Sequence, residues 1–168
     1  MNYFENLQKY SLFNKLTKEQ INKFHSLIEI AEYNPNELII QEGEIGNFIF
    51  LLLKGEVEIT KIMTLSLTKS KKDEREKSFI KLNDKMYPFI GEMSFVQNNE
   101  KRSASVKAIN SCIVGKIYND DLKKLLENNF EIGYQVMNNI SKKIANDLRT
   151  TNKNILKLTT ALSLVLDE

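Results

Sequence analysis

Cysteine and histidine each occur once in these 168 residues, proline twice and tryptophan not at all. A lone thiol, Cys112, excludes an internal disulfide and any cluster held by several thiolates of one chain. A lone imidazole, His25, excludes zinc centres built on several histidines. Its place at the edge of an apolar stripe marks it as a packing or surface residue. Charge of one sign is lacking too: 24 Lys+Arg against 22 Asp+Glu leave a formal net charge of +2. That is too little by itself to argue for a nucleic acid or an anionic membrane. The most apolar run, residues 48–53, has six residues, where a membrane-spanning helix needs about 20. The N-terminus has neither the basic nor the apolar region of a secretion signal. No membrane partner is expected, and a cytoplasmic location is, the unpaired cysteine fitting a reducing compartment. No metal or cofactor is expected either. An enzyme is disfavoured, because phosphodiester hydrolysis would want metal ligands or an acid–base pair.

What remains divides into three zones. Residues 2–30 read as helical. Thr17-Lys18-Glu19-Gln20 is a capping box, and Ile21, Phe24, Leu27 and Ile28 follow as one buried stripe. Residues 31–118 read as strands. Pro35 and Asn36 mark a turn, Gly43 and Gly46 bracket another where glycine takes positive φ, and 48–53 reads as a strand buried on both faces. The charged tract 68–77 is expected as a solvated, mobile hairpin loop. Short strands with frequent turns predict an α+β fold built on an antiparallel barrel or roll, not a βαβ fold.

From residue 119 the pattern is helical again. Asn119 or Asp120 is expected to cap a short helix carrying Leu122, Leu125 and Leu126. Beyond Asn128-Asn129 a longer helix carries Met137, Ile140, Ile144, Leu148, Thr151, Ile155, Leu158, Leu162 and Val165. The spacing is close to 3.5 residues with one slip at Leu148. A helix of about 35 residues would be roughly 50 Å long, more than a small roll can cover. The chain is therefore expected to divide into 1–128 and 129–168, the second part serving as a lid and a homodimer contact.

One stretch belongs to neither helix stripe nor strand. Gly91 allows a tight path out of a strand, and 92–96 can form one helical turn whose unpaired N–H groups, near Met93 and Ser94, attract anions. Ten positions after Glu92 comes Arg102, a permanent cation with a fork suited to phosphate, then the hydroxyl of Ser103. An acid, backbone amides, an arginine and a hydroxyl suit one phosphate attached to a sugar. Taken alone, such residues more often make a turn and a surface ion pair.

The stretch 91–108 resembles the phosphate-binding cassette of cyclic-nucleotide-binding domains, in particular that of the bacterial catabolite activator and its relatives. Leu38-Ile39-Ile40 with Glu42-Gly43, and 48–53 with Lys54-Gly55-Glu56-Val57, resemble the first strands of that β-roll. The resemblance implies an antiparallel, double-stranded jelly-roll-like β-roll, flanked by N-terminal helices and a long C-terminal helix. It implies that Glu92 binds a ribose 2′-hydroxyl and that Arg102 and Ser103 bind the cyclic phosphate, with amides near Gly91, Met93 and Ser94 helping. Ile40, Ile59, Phe79, Leu82 and Met93 would line the sugar and base pocket, and Asp147 would be a base contact. Ser103 points to cAMP ahead of cGMP.

Two departures stand out. Residues 82–90 lack the Gly-Asp turn usual in the family, and no helix-turn-helix pair is expected after residue 168, hence no DNA binding. The implied function is a non-enzymatic sensor whose ligand repositions the C-terminal helix, with a downstream protein partner that the sequence does not name. The alternative is a degenerate roll acting as a dimerising scaffold without nucleotide.

Overall fold

The computed structural model describes residues 3–68, 71–97 and 100–166, the side chains of Tyr3 and of 62–79 excepted. Two four-stranded antiparallel sheets form the roll. The first has the order β1 (Ile28–Tyr33), β8 (Cys112–Tyr118), β3 (Phe48–Lys54), β6 (Phe89–Ile90). The second has the order β2 (Leu38–Ile40), β7 (Ser105–Ala108), β4 (Glu56–Thr68), β5 (Lys71–Asn83). Strand β3 shows why the first sheet is apolar on both faces. Its Phe50 and Leu52 face a cluster between the sheets with Ile40, Val57, Val106 and Val114. Its Ile49 and Leu51 face a second cluster with Leu12, Phe24, Ile117, Leu122, Val136 and Ile140. Alternation along one strand thus feeds two cores.

The N-terminal zone is less helical than its periodicity suggests. The capping box forms, Thr17 Oγ1 accepting from Gln20 N and Gln20 Oε1 from Thr17 N. Helix α1 (Lys18–Asn22) nevertheless lasts only five residues and gives way to a 3-10 turn at His25–Leu27. Residues 28–33 are strand, paired with β8 from Ile28↔Ile117 to Tyr33↔Cys112. The stripe Ile21-Phe24-Leu27-Ile28 has helical spacing, and only its last residue lies in the strand, so it carries no signal for β1. The free edge of β8 decides it, a partner far away in sequence.

The charged tract is not a loop. β4 and β5 stay paired from Glu56↔Asn83 out to Thr68↔Lys71, so residues 71–77 are strand. A ladder satisfies backbone groups and asks for no buried side chain, so a charge-rich ribbon forms where a core could not.

At the C-terminal end, α3 (Asn119–Glu127) is not capped by Asn119 or Asp120. Tyr118 holds the cap position with no side-chain bond, and Asn119 turns inward to donate to the Gly46 carbonyl. Helix α4 (Phe130–Leu166) has 37 residues, about 56 Å at 1.5 Å per residue. Ile132, Val136 and Ile140 bury against the body with Ile144 partly covered, and from 145 to 166 the helix is exposed.

The apparent slip at Leu148 also resolves. Ile140 belongs to the body-facing stripe, and the outward stripe is Phe130, Tyr134, Met137, Ser141, Ile144, Leu148, Thr151, Ile155, Leu158, Leu162 and Val165, with Ile144 at the border because it also packs against the body. Its steps alternate 4 and 3 over the whole helix without interruption. Apart from Ser141, Ile144 and Thr151, these side chains are 37–84% exposed.

Candidate functional site

Helix α2 (Glu92–Val96) follows β6 through Gly91, whose φ of 105° is accessible without strain only to glycine. A Cβ at Gly91 would also lie 2.6 Å from Arg102 Nη1 and 2.7 Å from the Phe48 carbonyl. Gly46 is required for a different reason from the one its turn position suggests. Its φ is ordinary, but a side chain there would run into Ser94 and lie 2.8 Å from Arg102 Nε. Backbone bonds fix the arginine's strand: Arg102 N donates to the Glu44 carbonyl at 2.8 Å, and its own carbonyl accepts from Gly43 N at 2.9 Å. The turn at 43–46 and the start of the cassette's second limb are therefore one unit.

Arg102 is 7% exposed. Its Nη1 donates to Ser94 Oγ at 2.8 Å and to the Gly91 carbonyl at 3.5 Å, and its Nη2 to the Phe48 carbonyl at 2.7 Å. The guanidinium stacks 4.8 Å from the centre of the Phe48 ring. Ser94 Oγ in turn donates to the Gly91 carbonyl, so the serine's side chain links the arginine to the cassette backbone. Among the described residues no carboxylate lies within 4.0 Å of this guanidinium. Three of its five N–H donors are committed to the Ser94 hydroxyl and the Gly91 and Phe48 carbonyls. Burial lowers its pKa, with the charges of Glu92 and Glu44 pulling it back up.

Glu92 is also buried, at 6% exposure, but with a different partner. Its Oε1 accepts from Lys143 Nζ on α4 at 2.5 Å, and the same ammonium reaches Asp147 Oδ2 at 2.9 Å. It stands 5.4 Å from the centre of the Phe89 ring. Burial works against the lysine's charge. The charge and hydrogen bond of Glu92, then those of Asp147, outweigh it, and the pKa of Lys143 is raised. Glu92 and Arg102 thus do not pair with each other. One side of the site is an ion pair that ties the cassette to the long helix, and the other is a guanidinium held by neutral acceptors.

The remaining expected residues fall in three places. Ile40, Ile59 and Leu82 pack in the cluster between the sheets, which Phe48 and Ile90 also border. Met93 is half exposed, and Ser103 and Asp147 are exposed. The side chain of Phe79, in β5, lies outside the described residues. Lys143 and Phe48 are the site residues that sequence reasoning missed. Lys143 has one local signal, its i,i+4 spacing to Asp147. Its contact with Glu92 crosses 51 positions.

The family model described as cyclic nucleotide-binding domain matches residues 30–129. The chain is 26% identical over 132 residues to the cAMP-activated global transcriptional regulator CRP of Salmonella typhimurium, covering 79% of this chain and 56% of that protein. It is 25% identical over 105 residues to a cGMP-dependent protein kinase of Plasmodium berghei, covering 62% of this chain and 10% of the kinase. It therefore spans about half of the first relative and a tenth of the second. A cyclic nucleotide-binding domain from Methylobacillus flagellatus superposes with a TM-score of 0.76 at 23% identity, over 92% of this chain and 83% of that one. The catabolite activator protein of Thermus thermophilus gives 0.74 at 21%, over 89% and 63%. At those identities the two structures establish the fold.

Proposed function

The chain belongs to the cyclic nucleotide-binding domain family, and from that premise we propose that it is a regulatory module binding cAMP in preference to cGMP. Arg102 and Ser103 take the cyclic phosphate, Glu92 takes the ribose 2′-hydroxyl, and the backbone at Gly91, Met93 and Ser94 shapes the cradle. Ile40, Ile59, Phe79 and Leu82 provide the apolar wall. One observation carries this reading: a guanidinium 7% exposed with no carboxylate within 4.0 Å among the described residues. A buried cation without a counter-ion is costly, and a monoanionic phosphodiester supplies the missing charge through a charge-assisted fork. Ser103 favours cAMP by its resemblance to bacterial cAMP receptors, and Asp147, one turn beyond Lys143, is the proposed base contact.

Ligand occupancy reaches α4 through Glu92. The 2′-hydroxyl donates to the carboxylate that Lys143 already holds, so binding shifts the balance between arrangements of the helix. The outward stripe of α4 supports a homodimer through this helix. Lys142, Lys143, Arg149, Lys153 and Lys157 all lie off the positions that flank the stripe, so two copies would not meet like charges there. Leu158→Glu should turn a dimer into a monomer by light scattering.

The rival reading, a scaffold that binds no nucleotide, draws on the fact that Arg102 and Glu92 both already have protein partners. A thermal shift with a panel of cyclic nucleotides separates the two. At 100 times Kd a true ligand adds about 2.7 kcal/mol, and no shift with any member supports the scaffold.

A further inference from the structure

Between the N-terminal corner and the cassette runs a closed ring of contacts that meets the ligand contacts proposed above only at Gly91 and Glu92. Asn139, 5% exposed on the body-facing side of α4, donates through Nδ2 to the Leu12 carbonyl and to the Asn14 carbonyl, both at 2.9 Å. Its Oδ1 accepts from Gln135 Nε2 at 3.0 Å. Lys143 stands one turn further along the same helix face and reaches Glu92. From Glu92 the chain leads back through Gly91 and β6 to Tyr87. Tyr87 has a left-handed backbone at φ 49°, an edge contact with Tyr10 at 5.4 Å, and a hydroxyl that accepts from Lys9 Nζ at 3.0 Å. Tyr10 closes the ring: its buried hydroxyl donates to the Leu52 carbonyl at 2.7 Å, and Leu52 N donates to the Pro88 carbonyl.

We infer that Asn139 is a positioning residue for nucleotide binding: by anchoring α4 to the corner at 12–14 it sets the axial position from which Lys143 meets Glu92. A buried amide with both donors on main-chain carbonyls cannot slide along its helix axis without leaving polar groups unpaired. The lysine has a long, flexible stem, and beyond residue 145, where the helix is exposed, its partner among the described residues is the exposed carboxylate of Asp147, which moves with the same helix. Without the anchor, Lys143 loses its fixed approach, and Glu92 loses the neutralising partner beside which the ribose hydroxyl must bind. The N-terminal corner therefore responds to the state of the site although it contributes no ligand contact.

This inference rests on the cyclic-nucleotide reading, and its test keeps the two apart. Titrate the full chain with cAMP by calorimetry as wild type, Asn139→Ala, Lys143→Met and the double variant. Asn139→Ala should weaken binding at least fivefold in the wild-type background and less than twofold in the Lys143→Met background, because the amide acts through the lysine. Unchanged affinity of Asn139→Ala, or an equal loss in both backgrounds, overturns the positioning role. Wild type that binds neither cAMP nor cGMP overturns the nucleotide reading instead. A second measurement needs no Asn139 variant: in wild type, cAMP should slow amide hydrogen exchange across residues 10–16 at least threefold, and in Lys143→Met it should not. Equal behaviour of the two proteins sinks the inference.

Discussion

Two cations meet the cassette, and their surroundings are opposite. Arg102 is the more deeply buried and is held by two carbonyls, a hydroxyl and an aromatic face. Lys143 is more open, with its side chain 27% exposed, and has two carboxylates. Native structures avoid a buried charge without a counter-ion unless something else supplies one. The difference separates their surroundings: Lys143 finishes an internal ion pair, and Arg102 has only neutral acceptors among the described residues, which is what supports the anion site proposed for it. Neutral acceptors hold the guanidinium's plane in place without cancelling its charge.

The strongest way to break this comparison is to remove the arginine. Arg102→Ala should weaken cyclic-nucleotide binding by about 2–5 kcal/mol, roughly 30- to 5,000-fold, in calorimetry. Affinity equal to wild type would mean that the phosphate goes elsewhere. Next is the lysine. Lys143→Met leaves the Glu92 carboxylate buried and unpaired and should cost about 1–3 kcal/mol of folding stability in chemical denaturation. That is below the full penalty of a broken buried pair because the lysine keeps contact with solvent. Glu92→Gln combined with Lys143→Met should recover most of that loss, and a double variant as unstable as the sum of the singles would deny the pair any coupling.

The smallest effect is the pH dependence. Because the folded state raises the pKa of Lys143, its ion pair contributes fully below the ordinary lysine value of about 10.5, and the contribution is lost as pH rises through the higher folded value. Wild-type stability should fall in that alkaline window, and Lys143→Met should lose that part of the fall. Identical alkaline limbs would show that the pair has no energetic weight.

How far the sequence could be read follows from the range of each interaction. The capping box at Thr17, the left-handed turn at Gly91 and the long helix after Asn129 are settled within a few residues, and all three stand in the structure. The first half of β1, residues 28–30, was misread as helix because its partner, β8, lies more than 70 positions away. The ribbon at 71–77 was misread as loop because composition reports on burial, and a ladder needs none. At the site, the Glu92–Arg102 spacing was legible, but what each side chain touches was not. Arg102 reaches back 54 positions to Phe48, and Glu92 forward 51 to Lys143. Even the slip at Leu148 was an effect of reading one dimension. Two stripes share α4, and only packing against the body assigns Ile140 to one and Met137 to the other.

What the chain determines by itself is local: where backbone must turn, which side chains alternate, and that an acid, an arginine and a serine sit on one short cassette. These depend on sterics and on hydrogen bonds a few residues long, which any copy of the segment carries with it. The tertiary structure alone decided which of the two cations is held by carboxylates and which by neutral acceptors. Coulomb attraction and desolvation depend on distance through space and on depth below the surface, and neither exists until the two sheets and the long helix have closed around the cassette.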